Sequence, residues 1–349
     1  MSHKTERRQL INPEEEKTTS AEEQTYNENV IRLDGSWERK NRNITAAAFF
    51  ALIGIGAIYF NVQSILVTVL VAVLKAFYNI DVSGSFIQRM EAITKTMQTP
   101  ILIAVVTTQF LFMLLPVLFV VKKWHTKDVK KYIRIKFYSV REILLAVIIT
   151  ILFIPFCYLI SSLLERALHI PEFFQKMSSQ LFAADSLPKF IFLVFAIAVT
   201  PAICEEIFFR GYFQRTLERT LGMKSFIITG IIFGLFHMQP LSLISLSLLG
   251  VLFSFFYYRS KSIFPSSFAH FTNNFIALSL LYFQSYFDNI KFPDAEWFPL
   301  LFVLLSLLAG SALIVVYIKI TAERKGQPEL IKVDGENAVV NKNPNDYSI

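Results

Sequence analysis

Residues 189–210 read KFIFLVFAIAVTPAICEEIFFR. No charge falls between Lys189 and Glu205, and the run approaches the roughly 20 residues that a bilayer-spanning helix needs. It closes on two adjacent carboxylates, Glu205 and Glu206, with Arg210 four residues after the second. Apolar runs of the same kind recur from Ile44 to Ile320, at approximately 45–74, 100–121, 142–164, 189–209, 225–238, 241–258, 263–285 and 297–318. Composition agrees. Of 349 residues, 54% are hydrophobic, 17% are charged and 35 are Phe, and mean hydropathy is +0.47. A soluble domain carries about a quarter charged residues. The expected fold is all-α, a polytopic membrane helix bundle of about eight transmembrane helices. This excludes a secreted disulfide scaffold, a soluble nucleotide-fold enzyme and a disordered chain.

Working outward, residues 1–43 and 321–349 are polar and read as tails, the first largely disordered and cytoplasmic. Residues 44–320 form the bundle. Its first run is too long to stand upright in a hydrocarbon core of about 30 Å, so it tilts or projects. Pro155 is expected to kink the third. Cys157 and Cys204 both fall in apolar runs and offer neither a disulfide framework nor a metal knuckle. The net charge of +7 points to topology and not to nucleic acid, because the basic residues flank the apolar runs. No cleavable signal peptide is expected at the polar start.

Arg39, Lys40 and Arg42 precede the first run, and Lys122 to Arg141 crowd the loop after the second. Arg210, Arg215, Arg219 and Lys224 follow the fourth, Arg259 and Lys261 the sixth, and Lys319, Arg324 and Lys325 the eighth. The alternate loops are offset by acids (Asp81, Glu91, Glu165, Glu172, Asp185, Asp288, Asp294, Glu296). The positive-inside rule with an even helix count predicts both termini in the cytoplasm. An integral protein of a bacterial plasma membrane is the expected setting.

Ionisable residues inside membrane segments are costly and mark function. Of the five histidines, His3, His125 and His169 fall in tails or loops, while His237 and His270 fall inside apolar runs. Glu205, Glu206, Asn273 and Asn274 are the other candidates. On a helix Glu206 and Arg210 face each other in the favourable order for an ion pair. Glu205 points about 100° away and is left free to work. Pro201 opens the helix one turn earlier. The bland alternative is a charged helix end snorkelling at the interface. Phe233 shares a face with His237, and His270 with Asn274. Each histidine alone reads as a hydrogen-bonded packing residue. Together with Asn274 and a free Glu205 they supply what peptide hydrolysis needs: a base for water, donors for an oxyanion and an acid for the leaving amine.

Depth sets a puzzle. Glu205 is about one turn from the basic loop, whereas His237 follows Lys224 by roughly 20 Å at 1.5 Å per residue. The fifth run is short for a full span. A tilted or recessed hairpin turning at Gln239-Pro240 is expected, lining a cavity where irregular backbone is tolerated.

Three strings carry a family resemblance: Glu205-Glu206-x-x-x-Arg210, Phe233-x-x-x-His237 and His270-x-x-x-Asn274, in that order. They resemble the CPBP family of intramembrane proteases, the CAAX proteases and bacteriocin-processing enzymes also called Abi proteins. The resemblance covers roughly 140–290. It implies an endopeptidase near the cytoplasmic side of the membrane. As in enzymes of the Ras-converting type, Glu205 and His237 would activate a water, His270 and Asn274 would hold the oxyanion, and Glu206, Arg210 and Phe233 would support them. The partners implied are the lipid bilayer and a peptide or prenylated protein substrate, with no nucleic acid.

Zinc is the alternative cofactor, with Glu205, His237 and His270 as ligands and an open position for water. The H-E-x-x-H signature is absent, and an asparagine suits an oxyanion better than zinc, so hydrolysis without metal is favoured. A proton-coupled transporter is the competing class. It lacks the internal repeat and paired broken helices expected of one. A non-catalytic scaffold that keeps the motifs is the third reading.

Overall fold

The structure, a computed structural model, describes residues 31–78, 85–168, 181–240, 242–284, 297–322, 330–334 and 337–340. His3, His169, Asp81, Glu172, Asp288, Asp294, Glu296, Arg324 and Lys325 lie outside them, as does the side chain of Glu91.

The chain is a polytopic helical bundle. Among the described residues, six helices are long and apolar enough to cross a membrane: Ile44–Val73, Thr96–His125, Val140–Leu168, Leu187–Leu221, Leu243–Ser260 and Pro299–Ile320. The expected count of eight is not reached by this measure. The fifth run forms a helix of only 13 residues, Lys224–Phe236. The seventh, Ile263–Tyr282, has 20 residues, but His270, Asn273 and Asn274 interrupt its apolar face. The first helix runs 35 residues, Ile44–Tyr78, about 52 Å at 1.5 Å per residue. Pro155 sits inside a continuous helix, Val140–Leu168.

The Leu187–Leu221 helix is not uniform. π-helical turns at Val194–Val199 and Ile207–Gln214 bracket the α-helical stretch Thr200–Glu206. The Thr96–His125 helix has two more, at Gln109–Leu114 and Val121–His125. Such turns add a residue locally and gather at functional sites.

Lys224–Phe236 and Leu243–Ser260 form a tight hairpin. A Cβ on Gly230 would stand 2.3 Å from the Val251 backbone nitrogen, and one on Gly234 would stand 2.1 Å from Ser247 Oγ. Small residues at this spacing let two helix backbones touch where no hydrophobic force drives association.

Residues placed in the N-terminal tail are in part structured. Ile31–Leu33 pairs in parallel with Leu330–Asp334, which pairs antiparallel with Asn337–Val340. Glu38 is 2% exposed and accepts from Arg219 Nη1 at 2.5 Å and lies 2.6 Å from His125 Nδ1. His125 is therefore a buried partner and not a loop residue. Arg134 and Glu218 pair at 2.6 Å, with Arg215 and Lys261 beside them. Arg259 Nη2 donates to the Ile318 carbonyl. The segments flanking the first, second, fourth, sixth and eighth apolar runs thus meet on one face. Part of the basic charge there is spent on ion pairs. Burial works against ionisation of Glu38, but the hydrogen bonds from His125 and Arg219 and the Arg219 charge outweigh it and hold the carboxyl at about 2.

Candidate active site

The two carboxylates behave differently, as their spacing requires. Glu206 and Arg210 are fully buried and joined at 2.7 Å. The guanidinium also donates to the Gly250 carbonyl at 2.9 Å and to Ser254 Oγ at 3.2 Å, and it lies over the Phe233 ring at 4.4 Å. Four neighbours thus stabilise a charge that would be very costly alone in apolar surroundings. Arg210, counted among the loop cations from sequence, is instead a core residue. The helix continues past it to Leu221, which puts Glu205 about 24 Å along the axis from that end. Glu205 is therefore not one turn from the basic loop. It is as deep as His237, and the depth puzzle disappears.

Glu206 has a second partner. Its Oε1 is 2.9 Å from His270 Nδ1. A carboxylate only accepts, so Nδ1 carries a proton. The ring is 3% exposed, stacked on Phe253 at 5.3 Å and edge-on to Phe233 at 5.6 Å.

Glu205 takes the other direction. Its Oε2 is 4.0 Å from His237 Nε2, with the side chains 13% and 25% exposed. His237 follows the short helix and sits in the turn that leads to Gln239-Pro240. Its Nδ1 lies 2.8 Å from the Phe233 carbonyl. The carbonyl can only accept, so Nδ1 carries a proton, and in the neutral ring it is Nε2 that is bare toward Glu205. Phe233 is the hub of the site. Its carbonyl sets the His237 tautomer, its ring edges both imidazoles, and its face carries Arg210.

Asn274 Nδ2 donates to the Ile197 carbonyl at 2.8 Å, and its Oδ1 accepts from Asn273 Nδ2 at 3.0 Å. Pro201 explains the first bond. It has no N–H for the carbonyl one α-helical turn before it, which is Ile197. Asn274 supplies the missing donor across the interface, and its second N–H has no partner among the described residues.

Sequence reading missed Gln109, whose Nε2 donates to Glu205 Oε1 at 3.2 Å. It also missed the glycine hairpin that sets the position of His237. A lone amide in the uncharged run 100–121 was the available signal for the first. Gly230-x-x-x-Gly234 was the signal for the second. As for metal, no three His, Cys, Asp or Glu side chains among the described residues are arranged to hold an ion. His270 Nδ1 and Glu206 are engaged with each other, and His237 Nδ1 faces a carbonyl.

The bundle thus sets one carboxylate–imidazole pair facing each other and buries a second pair locked by an arginine. Residues 187–276, about a quarter of the chain, match the family described as Type II CAAX prenyl endopeptidase Rce1-like. This stretch is therefore a domain of an endopeptidase family, consistent with a CPBP-type intramembrane protease. A membrane-embedded peptidase domain implies a lipid bilayer around it and a peptide or protein as substrate. No curated protein and no solved structure matches the chain.

Proposed function

We propose that the chain hydrolyses a peptide bond inside the bundle through a water activated by Glu205 and His237, on a CAAX-type, prenylated substrate. The observation that carries this reading is the Glu205–His237 pair. Two acceptors, Oε2 and a bare Nε2, face each other at 4.0 Å. That is too long for a direct hydrogen bond and suits a water that donates one proton to each. Glu205 takes a proton as the water oxygen attacks the scissile carbonyl carbon, and His237 orients the water. The C–N bond then breaks and the proton passes to the leaving amine.

His270 and the free N–H of Asn274 serve the oxyanion. Because Nδ1 of His270 is already spent on Glu206, Nε2 can donate only from the imidazolium form. Glu206, itself held by Arg210, fixes the orientation of the ring through Nδ1. The mechanism thus needs Glu205 ionised, to accept the proton of the water. No metal takes part. The face that gathers the basic loops and the flanks of both termini is assigned to the cytoplasm.

The test is turnover of an internally quenched, farnesylated peptide ending in a CAAX sequence by the purified protein. Glu205→Gln is expected to fold and to lose activity. A folded Glu205→Gln that cleaves at the wild-type rate removes the base from the mechanism.

A further inference from the structure

We propose that Gln109, from a helix outside the matched segment, is a positioning residue for Glu205. This rests on the reading of Glu205 as the base. Gln109 is 4% exposed and opens the π-helical turn Gln109–Leu114. Its Nε2 donates to Glu205 Oε1 at 3.2 Å. That bond ties down one carboxylate oxygen and leaves the other, Oε2, facing His237. Tyr59, 6% exposed on the Ile44–Tyr78 helix, is a side-chain hydrogen-bond partner of Gln109 and lies within electrostatic reach of Glu205. The first two membrane helices therefore close the site that residues 187–276 begin.

A packing role does not account for Gln109. Its Oε1 is buried with no partner among the described residues, and leaving an amide oxygen unsatisfied is unfavourable. Leucine would fill the same space without that cost. The amide is explained if its function is to donate. A neutral donor also suits a base better than a cation would. Lysine or arginine here would pair with Glu205 and hold it ionised, which weakens it as a proton acceptor. Glutamine fixes direction without adding charge.

The experiment uses the same farnesylated, quenched peptide with the full-length protein in detergent or lipid. Gln109→Leu is expected to lower kcat about 10–100-fold with KM unchanged, the range set by one hydrogen bond to a charged group. In a Glu205→Gln background, Gln109→Leu should cause no further loss. Gln109→Glu has the same size but puts a second carboxylate beside the first. It is expected to move the acid limb of the kcat/KM profile up by about one pH unit or more, a shift that a packing defect would not produce. Wild-type kcat in Gln109→Leu and an unmoved acid limb in Gln109→Glu, with Glu205→Gln inactive, would overturn the proposal. If neither variant folds, Gln109 is a structural residue and the proposal falls. Retained activity in Glu205→Gln is a different result. It sinks the base assignment itself and the positioning role with it.

Discussion

Glu206→Gln is the most informative structural perturbation. Glu206 Oε1 takes Arg210 at 2.7 Å and His270 at 2.9 Å, and both members of the ion pair are fully buried. The substitution keeps the shape but leaves the guanidinium without its anion, with the Gly250 carbonyl, Ser254 Oγ and the Phe233 ring face as its remaining neighbours. Breaking one side of a buried pair costs about 3–5 kcal/mol, against a total stability of about 5–15 kcal/mol for ordinary proteins. The substitution also removes the carboxylate that orients His270, so turnover should fall even in the molecules that fold. A double-mutant cycle separates the two effects. Arg210→Met alone should cost a similar amount, and the double variant Glu206→Gln/Arg210→Met should recover about 2–3 kcal/mol of the summed loss, because no unpaired charge remains. Its activity should stay low, since His270 still lacks its carboxylate. The assays are thermal unfolding in a single detergent and peptide turnover on the same samples. A Glu206→Gln protein that melts with the wild type, or a cycle with no coupling, would refute the reasoning.

Further outcomes follow from other contacts. Glu38 is held at about 2 against an ordinary value of 4.5, so its stabilisation is complete above pH about 4.5 and drains away as pH falls toward 2. Glu38→Gln should therefore lower the melting temperature at neutral pH and make no difference near pH 2, as measured by melts across that range. Gly230→Val should abolish folding or activity, since its Cβ meets the Val251 backbone at 2.3 Å, whereas Gly54→Ala, with nothing within 4 Å, should leave yield and turnover unchanged. Asn274→Ala should lower turnover about 10²–10³-fold, the scale for losing one oxyanion donor. It should also cost about 1–3 kcal/mol in a thermal melt, because the Ile197 carbonyl loses the donor that Pro201 cannot supply.

Much of the bundle was legible because lipid imposes one strong rule, that backbone polar groups pair within helices. Each apolar run became a helix for that reason. Span count was less legible, since length and polarity of single helices blur it: Lys224–Phe236 is short, and Ile263–Tyr282 carries His270, Asn273 and Asn274. The division between Glu206 and Glu205 was readable from i,i+4 geometry alone. The end of the Leu187–Leu221 helix was not, because Arg210 looks like a loop cation until Gly250, Ser254 and Phe233 are seen around it. Long-range partners leave no local periodicity. Glu38 with Arg219, Gln109 with Glu205 and Asn274 with Ile197 are each joined only by the fold. The pairing of Ile31–Leu33 with Leu330–Asp334 joins segments from near opposite ends of the chain, and polar composition alone gave no sign of it.

The central claim is that Glu205 and His237 act on water as proton acceptors and not as metal ligands. A zinc site would activate water by lowering its pKa through the ion's charge, and both histidines would matter in either case, so alanine variants alone do not decide. The direct measurement is turnover of the farnesylated peptide by wild-type protein stripped with a strong chelator, with the zinc content of the same sample determined. The account predicts undiminished turnover with well under one zinc per chain. Stoichiometric zinc, lost together with activity and restored with it, would contradict the account and make Glu205, His237 and His270 ligands.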